Sequence, residues 1–131
     1  MDSKVLDAIS RIAETCHELN RVFCLGMGDH SQVRWTDAPD WQRQSAFKGV
    51  LYHYQNPDST PADSHTSWME EKLNTGWSYG ETKSETWKKH PCMVPFEELP
   101  LAQQTKDIIF HATVKGLLDH YKETLENSYD S

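Results

Sequence analysis

The sequence predicts a mainly α fold of four main helices arranged as two similar halves, with one small β/loop element. Three observations carry the prediction. Apolar residues recur at alternating three and four positions in the outer segments. Prolines sit just inside the expected starts of the later helices, at Pro39, Pro61 and Pro100. Between Trp77 and Pro100 the helical period disappears, and glycines and prolines take over.

The first helix is predicted from Ser3 to about Cys24, where Val5, Ile9, Ile12, Cys16, Leu19 and Phe23 form a single-sided stripe. Gly26 and Gly28 stop it. The second starts at Asp37-Ala38-Pro39, with Asp37 as N-cap and Pro39 in the first turn. It carries Ala46, Phe47, Val50, Leu51 and Tyr54 and ends before Asn56-Pro57. The third opens on Thr60 as N-cap, Pro61 at the first helical position and Asp63 as capping acid. It runs through His65, Trp68, Met69 and Leu73 and stops at Gly76; the spacing of Trp68 reads as core. Ser78-Tyr79 and Cys92-Met93-Val94 are the candidate strands, and Pro95 ends their pairing.

The fourth helix is the longest, from about Pro100 to Asn127. Phe110, Val114, Leu117, Tyr121 and Leu125 form its stripe, widened by Ile108, Ile109 and Ala112. A stripe this wide fits burial between helices of its own domain, or between the domain and a partner subunit, and the expectation includes a homo-oligomer. Residues 127–131 are expected to fray.

Composition bounds the possibilities. The 131 residues suit one domain, 1–131. Hydrophobic content is only 37%, but five Trp, five Tyr and four Phe supply large burial per residue. No run approaches the length of a membrane span, and Met1-Asp2-Ser3-Lys4 lacks the features of a signal peptide. Three cysteines without a CxxC pair point to a reducing compartment, so a cytoplasmic location is expected. The net charge of −7, from 20 acids against 13 bases, opposes binding to a nucleic-acid polymer. A small anion needs only two or three well-placed cations and is not opposed.

A short internal repeat divides the chain. His17-Glu18-Leu19-Asn20 and His65-Thr66-Ser67-Trp68 each lie in a helix that precedes a proline-started one. Those starts read Ala38-Pro39-Asp40-Trp41-Gln42 and Leu99-Pro100-Leu101-Ala102-Gln103, with Gln three residues after each proline. The second half is longer, and its extra residues fall around Gly76 to Lys89. Two halves related by an approximate twofold are expected, one of them carrying an insertion.

Catalytic and metal signatures are weak. His90-x-Cys92 and Cys16-His17 lack the paired spacing of a structural zinc site, and neither HExxH nor an EF-hand loop occurs. Cys16 and Cys24, two helical turns apart, read as small core residues. There is no nucleophile elbow, and Gly26-Met27-Gly28 lacks the third glycine of a dinucleotide-binding loop. The expectation is a non-enzyme without metal or cofactor.

Binding signals are stronger. Gly76-Trp77-Ser78-Tyr79-Gly80 brackets two aromatics between glycines, and His90-Pro91-Cys92-Met93-Val94-Pro95-Phe96-Glu97-Glu98-Leu99-Pro100 follows. With His65-x-x-Trp68 before them and Lys106-Asp107 after, these blocks resemble the RyR domain, the repeat named after the ryanodine receptor, in its small free-standing phage and bacterial form. The resemblance is most specific from about His65 to Leu118, and its family-matching core spans about residues 17–120. It implies a mostly helical, non-catalytic module that binds a nucleotide-derived small molecule, such as an adenine cyclic nucleotide or an ADP-ribose-type signal. A free-standing phage copy would suit sequestration of an antiviral defence signal. A protein-interaction module using the aromatic loop, with its additional Trp87, stands as the alternative, and a nucleotide hydrolase as a third.

The expected ligand site has Trp77 and Tyr79 as stacking platform and Lys83 and Lys106 as phosphate partners, with His65 and Arg43 as supporting donors. The glycine-bracketed loop is expected to return to the start of the fourth helix, whose free N–H groups favour an anion.

Overall fold

The structure, a computed structural model, describes residues 2–122. Its elements are α1 (Ser3–Gly26), a 3₁₀ turn (Trp35–Asp37), α2 (Asp40–Gln55), α3 (Pro61–Asn74), β1 (Ser78–Tyr79), β2 (Lys89–His90), a second 3₁₀ turn (Phe96–Glu98) and α4 (Leu101–His120). The fold is mainly α, as the periodicity predicts. Leu125, the expected helix beyond residue 122 and the tail 127–131 lie outside the described residues.

Local chemistry sets the helix starts. Asp2 caps α1 by accepting from the Lys4 amide at 2.7 Å. Thr60 and Asp63 form both arms of a capping box at α3, at 3.2 and 2.9 Å, with Pro61 just inside. At α2 the expected cap is corrected: Asp37 belongs to the 3₁₀ turn, and Pro39 is the N-cap. A residue before proline is driven to extended backbone, so Ala38 (ψ 140°) cannot continue a helix from Asp37. The same geometry starts α4, with Leu99 extended and Pro100 as N-cap.

The core gathers Val5, Ala8, Ile9, Ile12, Ala13 and Cys16 of α1 around Val50 of α2 and Val114 of α4. Ile9, Ile12, Val50 and Val114 are fully excluded from water, each worth about 1.5–3 kcal/mol of burial. Cys16 and Cys24 are both buried, and burial pushes the Cys16 thiol up to about 12. Phe110, Leu117 and Tyr121 of the α4 stripe pack against this core from within the chain. Ile108 does not widen the buried stripe: it is 51% exposed, and Leu101 is 79% exposed.

The strands are two residues each and pair in parallel, Ser78 opposite Lys89 and Tyr79 opposite His90. The partner of Ser78-Tyr79 is therefore not Cys92–Val94. The Cys92 amide instead donates to His90 Nδ1 at 3.0 Å, which turns the chain away from the ladder. Close approach explains Gly80, where a Cβ would stand 2.7 Å from that of Lys89.

The two halves repeat two of their tying hydrogen bonds. His17 Nε2 donates to the Val33 carbonyl at 2.6 Å, and His65 Nε2 to the Val94 carbonyl at 2.7 Å. After α1 and α3 comes a glycine of positive φ, Gly28 at 83° and Gly76 at 92°. The next amide turns back to its helix, Asp29 to the Cys24 carbonyl at 2.8 Å and Trp77 to the Lys72 carbonyl at 2.9 Å. From histidine to valine the chain runs 16 residues in the first half and 29 in the second. The insertion thus lies between Trp77 and Val94 and carries both strands.

Packing between the halves is reciprocal. α1 lies on α2 and α3 on α4, while α1 meets α4 and α2 meets α3. Gly49 and Phe110, each ten residues after its proline, touch one another, with the Phe110 ring 3.2 Å from where a Gly49 Cβ would be. Contact of a residue with its own counterpart is what a twofold produces and a translational repeat does not.

Candidate functional site

A cavity of about 490 Å³ opens between the two halves. Counterpart positions line it in pairs: Asn20 with Trp68, His17 with His65, Ser45 with Lys106, Ala46 with Asp107. The wall is therefore duplicated in backbone and unlike in chemistry. At three of these pairs a small neutral side chain of the first half (Asn20, Ser45, Ala46) stands where the second half has an aromatic or charged one (Trp68, Lys106, Asp107), while His17 and His65 are alike. Four lysines (Lys48, Lys72, Lys83, Lys106) and three acids (Asp29, Glu71, Asp107) line it, in a chain with 13 bases and 20 acids. Basic side chains are concentrated here against the trend of the whole molecule.

Lys72 is the most unusual member. It occupies the position of buried Cys24 in the first half and is itself only 6% exposed. Its Nζ lies 4.8 Å from the Trp41 ring centre and 5.3 Å from that of Trp77. The two indoles are 6.3 Å apart, one from α2 and one from the start of the insertion, so the cation bridges the halves. A desolvated cation over an indole gains about 2 kcal/mol. Burial lowers the pKa of Lys72; Glu71, 3.9 Å away, opposes that fall, and Lys83 and Lys48 add to it.

Beside this clamp, His90 packs edge-on to Trp68 at 5.0 Å and tilted to Trp77 at 6.2 Å. Burial, followed by Lys83, Lys72, His65 and Lys106, pushes the His90 imidazole down to about 4. His65 stacks on Trp68 at 5.5 Å. With its Nε2–H committed to Val94, its Nδ1 faces Asp107 Oδ2 at 3.5 Å, too long for a firm hydrogen bond. That oxygen is buried without a hydrogen-bond partner among the described residues. Burial pushes the Asp107 carboxyl up to about 6, although His65 and Lys106 both pull it down.

Of the residues expected from the sequence to form a ligand site, Trp77, Lys83, Lys106 and His65 line the cavity. Arg43 and Tyr79 do not: Arg43 pairs with Asp40 at 2.7 Å, and Tyr79 is 52% exposed on β1. Trp77 is buried, and the face beneath Lys72 is closed to a stacking base. Trp68, read from its spacing as core, is half-buried on the cavity wall. Sequence reasoning missed Lys72, Trp41, His90 and Asp107 as wall residues. For Lys72 a signal existed, since His65, Trp68 and Lys72 fall at i, i+3 and i+7 of one helix face. Among the described residues no group of three or more His, Cys, Asp or Glu is placed to hold a metal ion, and no helix is long and apolar enough to cross a membrane.

A family model for the RyR domain matches residues 53–120, just over half of the chain. The chain belongs to the RyR domain family. In this RyR domain the matched segment holds α3, both strands and α4, and with them Lys72, Lys83, His90, Lys106 and Asp107 of the cavity wall. The first half, with α1 and most of α2, lies before the match and carries the hydrogen-bonded counterpart of the same plan.

Proposed function

We propose that this RyR domain is a non-catalytic binding module for a nucleotide-derived small molecule held in the cavity between its halves. The observation that carries the reading is Lys72 clamped between Trp41 and Trp77 inside a cavity that concentrates lysines in an otherwise acidic chain. Aromatic walls favour a planar base, and converging cations favour its phosphates. Adenine cyclic nucleotides and ADP-ribose-type molecules combine both parts. Holding such a molecule without turning it over would make the protein a sink for the signal, and a phage-encoded copy would keep it from a defence effector.

The test is calorimetry and thermal shift with AMP, ADP-ribose and a cyclic adenine dinucleotide, with chromatography of the recovered ligand. Saturable binding with intact ligand is expected. Failure of every nucleotide to bind overturns the reading, and turnover of a bound one replaces it with a hydrolase.

Trp87 favours a second reading, a protein-interaction module. It is 78% exposed on the insertion, away from the cavity wall. Loss of a partner in a Trp87→Ala variant that still binds nucleotides would give the insertion that separate role.

A further inference from the structure

We propose that the second-half end of the cavity is an anion subsite, where His90 Nε2–H, Lys72, Lys83 and Lys106 hold a phosphoryl group and the Asp107 carboxyl sets the pH dependence. This rests on the cavity reading above and specifies where the charged part of a ligand lies.

His90 supplies the direction. Its Nδ1 accepts the Cys92 amide at 3.0 Å, which leaves Nε2 as the nitrogen that carries the proton. Among the described residues, no group accepts a hydrogen bond from that N–H. Trp68 and Trp77 hold the ring in place from two sides. The cations around it come from three separate segments: Lys72 from α3, Lys83 from the insertion and Lys106 from α4. Burial, followed by repulsion from these lysines and His65, keeps the imidazole neutral, so it is a directional donor rather than another charge. A bound anion would relieve the repulsion and accept the idle N–H.

Asp107 opposes the same anion. It faces His65 on α3, Lys106 beside it on α4 and Cys92 in the loop before the second 3₁₀ turn. Above about pH 6 its carboxylate repels a phosphoryl group; below that it is protonated and its O–H becomes a donor. For an anion of fixed charge, binding therefore strengthens as pH falls through about 6; the phosphoryl group's own protonation near that pH works against it. Only below about 4 does His90 itself add a charge in the free protein.

The probe is inorganic pyrophosphate, titrated into the full chain and followed by calorimetry and imidazole nitrogen NMR across the mildly acidic to neutral range. A saturating shift at His90 Nε2 is expected, and the ratio of wild-type to Asp107→Asn affinity, in which pyrophosphate's own protonation cancels, should rise toward the acidic end. Lys83→Ala, at an exposed position where folding is not at stake, should weaken binding about tenfold, as should Lys72→Met. Asp107→Asn should bind more tightly than the natural chain at neutral pH and keep only the part of the pH profile that pyrophosphate's own protonation causes. A His90 signal that pyrophosphate leaves unmoved, unchanged affinity in Lys83→Ala, or an unchanged profile in Asp107→Asn overturns the subsite. Pyrophosphate bound at His90 with no gain for a nucleoside diphosphate keeps the subsite and removes the nucleotide reading. A nucleotide that binds while His90 Nε2 stays unmoved does the reverse.

Discussion

His17 and His65 hold equivalent places in the two halves, each donating Nε2–H to a valine carbonyl, at 2.6 Å to Val33 and 2.7 Å to Val94. Both imidazoles are buried, and each ties the returning loop to the helix that precedes it. Removing either side chain leaves a carbonyl without its donor. His17→Ala and His65→Ala are each expected to lose about 1–3 kcal/mol in urea unfolding. A negligible loss in either would mean that the loops are held by something other than this bond.

Trp77 and Tyr79 should separate cleanly. Trp77 is 8% exposed and packs on Lys72, His90 and Trp41, so Trp77→Ala is expected to lower stability by about 3–5 kcal/mol. Tyr79→Ala removes a side chain 52% exposed and should stay within about 0.5 kcal/mol. Chemical denaturation of the pair checks both. A thermal midpoint unmoved by Trp77→Ala would contradict the buried position.

Acid should destabilise the fold before carboxylates are stripped of their charge. Burial pushes the His53 imidazole down to about 4, helped by His111 and Lys115, while its Nδ1 bonds the Ser59 hydroxyl at 2.7 Å. His90 is likewise pushed down to about 4. Between the ordinary histidine value of about 6.5 and about 4, the unfolded chain binds protons at both positions and the folded chain does not. Stability from both groups is therefore complete above about 6.5 and declines as pH falls toward about 4. Asp107, raised to about 6, works in the opposite direction, binding a proton in the folded state first. Two histidines against one carboxyl leave a net loss. Thermal midpoints measured from neutral pH downward should fall, and His53→Gln should flatten the slope.

The glycines predict opposite signs. Gly28 and Gly76 have positive φ, so an alanine at either should cost about 1–2 kcal/mol. A Cβ at Gly28 would meet none of the described residues within 4 Å, which makes that penalty one of backbone. Gly116 lies inside α4 with none of the described residues within 4 Å of an added Cβ, and Gly116→Ala should stabilise by up to about 1 kcal/mol. Equal effects at Gly28 and Gly116 in thermal unfolding would defeat the distinction.

What the sequence by itself determined was local. The stripe of Val5, Ile9, Ile12 and Cys16 and the Thr60–Asp63 capping box are set by neighbours within a few residues and appear where their spacing places them. Pro39 and Pro100 mark the helix starts but stand one residue outside them, as N-caps. The repeat was legible for the same reason, since a histidine and a proline at matched positions need no knowledge of what lies between them. Strand pairing was half legible: Ser78-Tyr79 was visible, but its partner depended on where Gly80 allows Lys89 to approach. The cavity was decided only by tertiary structure. Trp41 and Trp77 meet across the halves, and Lys72 is buried because both indoles close over it. Arg43, one turn into α2, is instead paired with Asp40 within its own helix. A lysine's place in a helical pattern says which face it occupies. Whether that face meets water or two tryptophans from other segments is set by the packing of the halves, which periodicity does not encode.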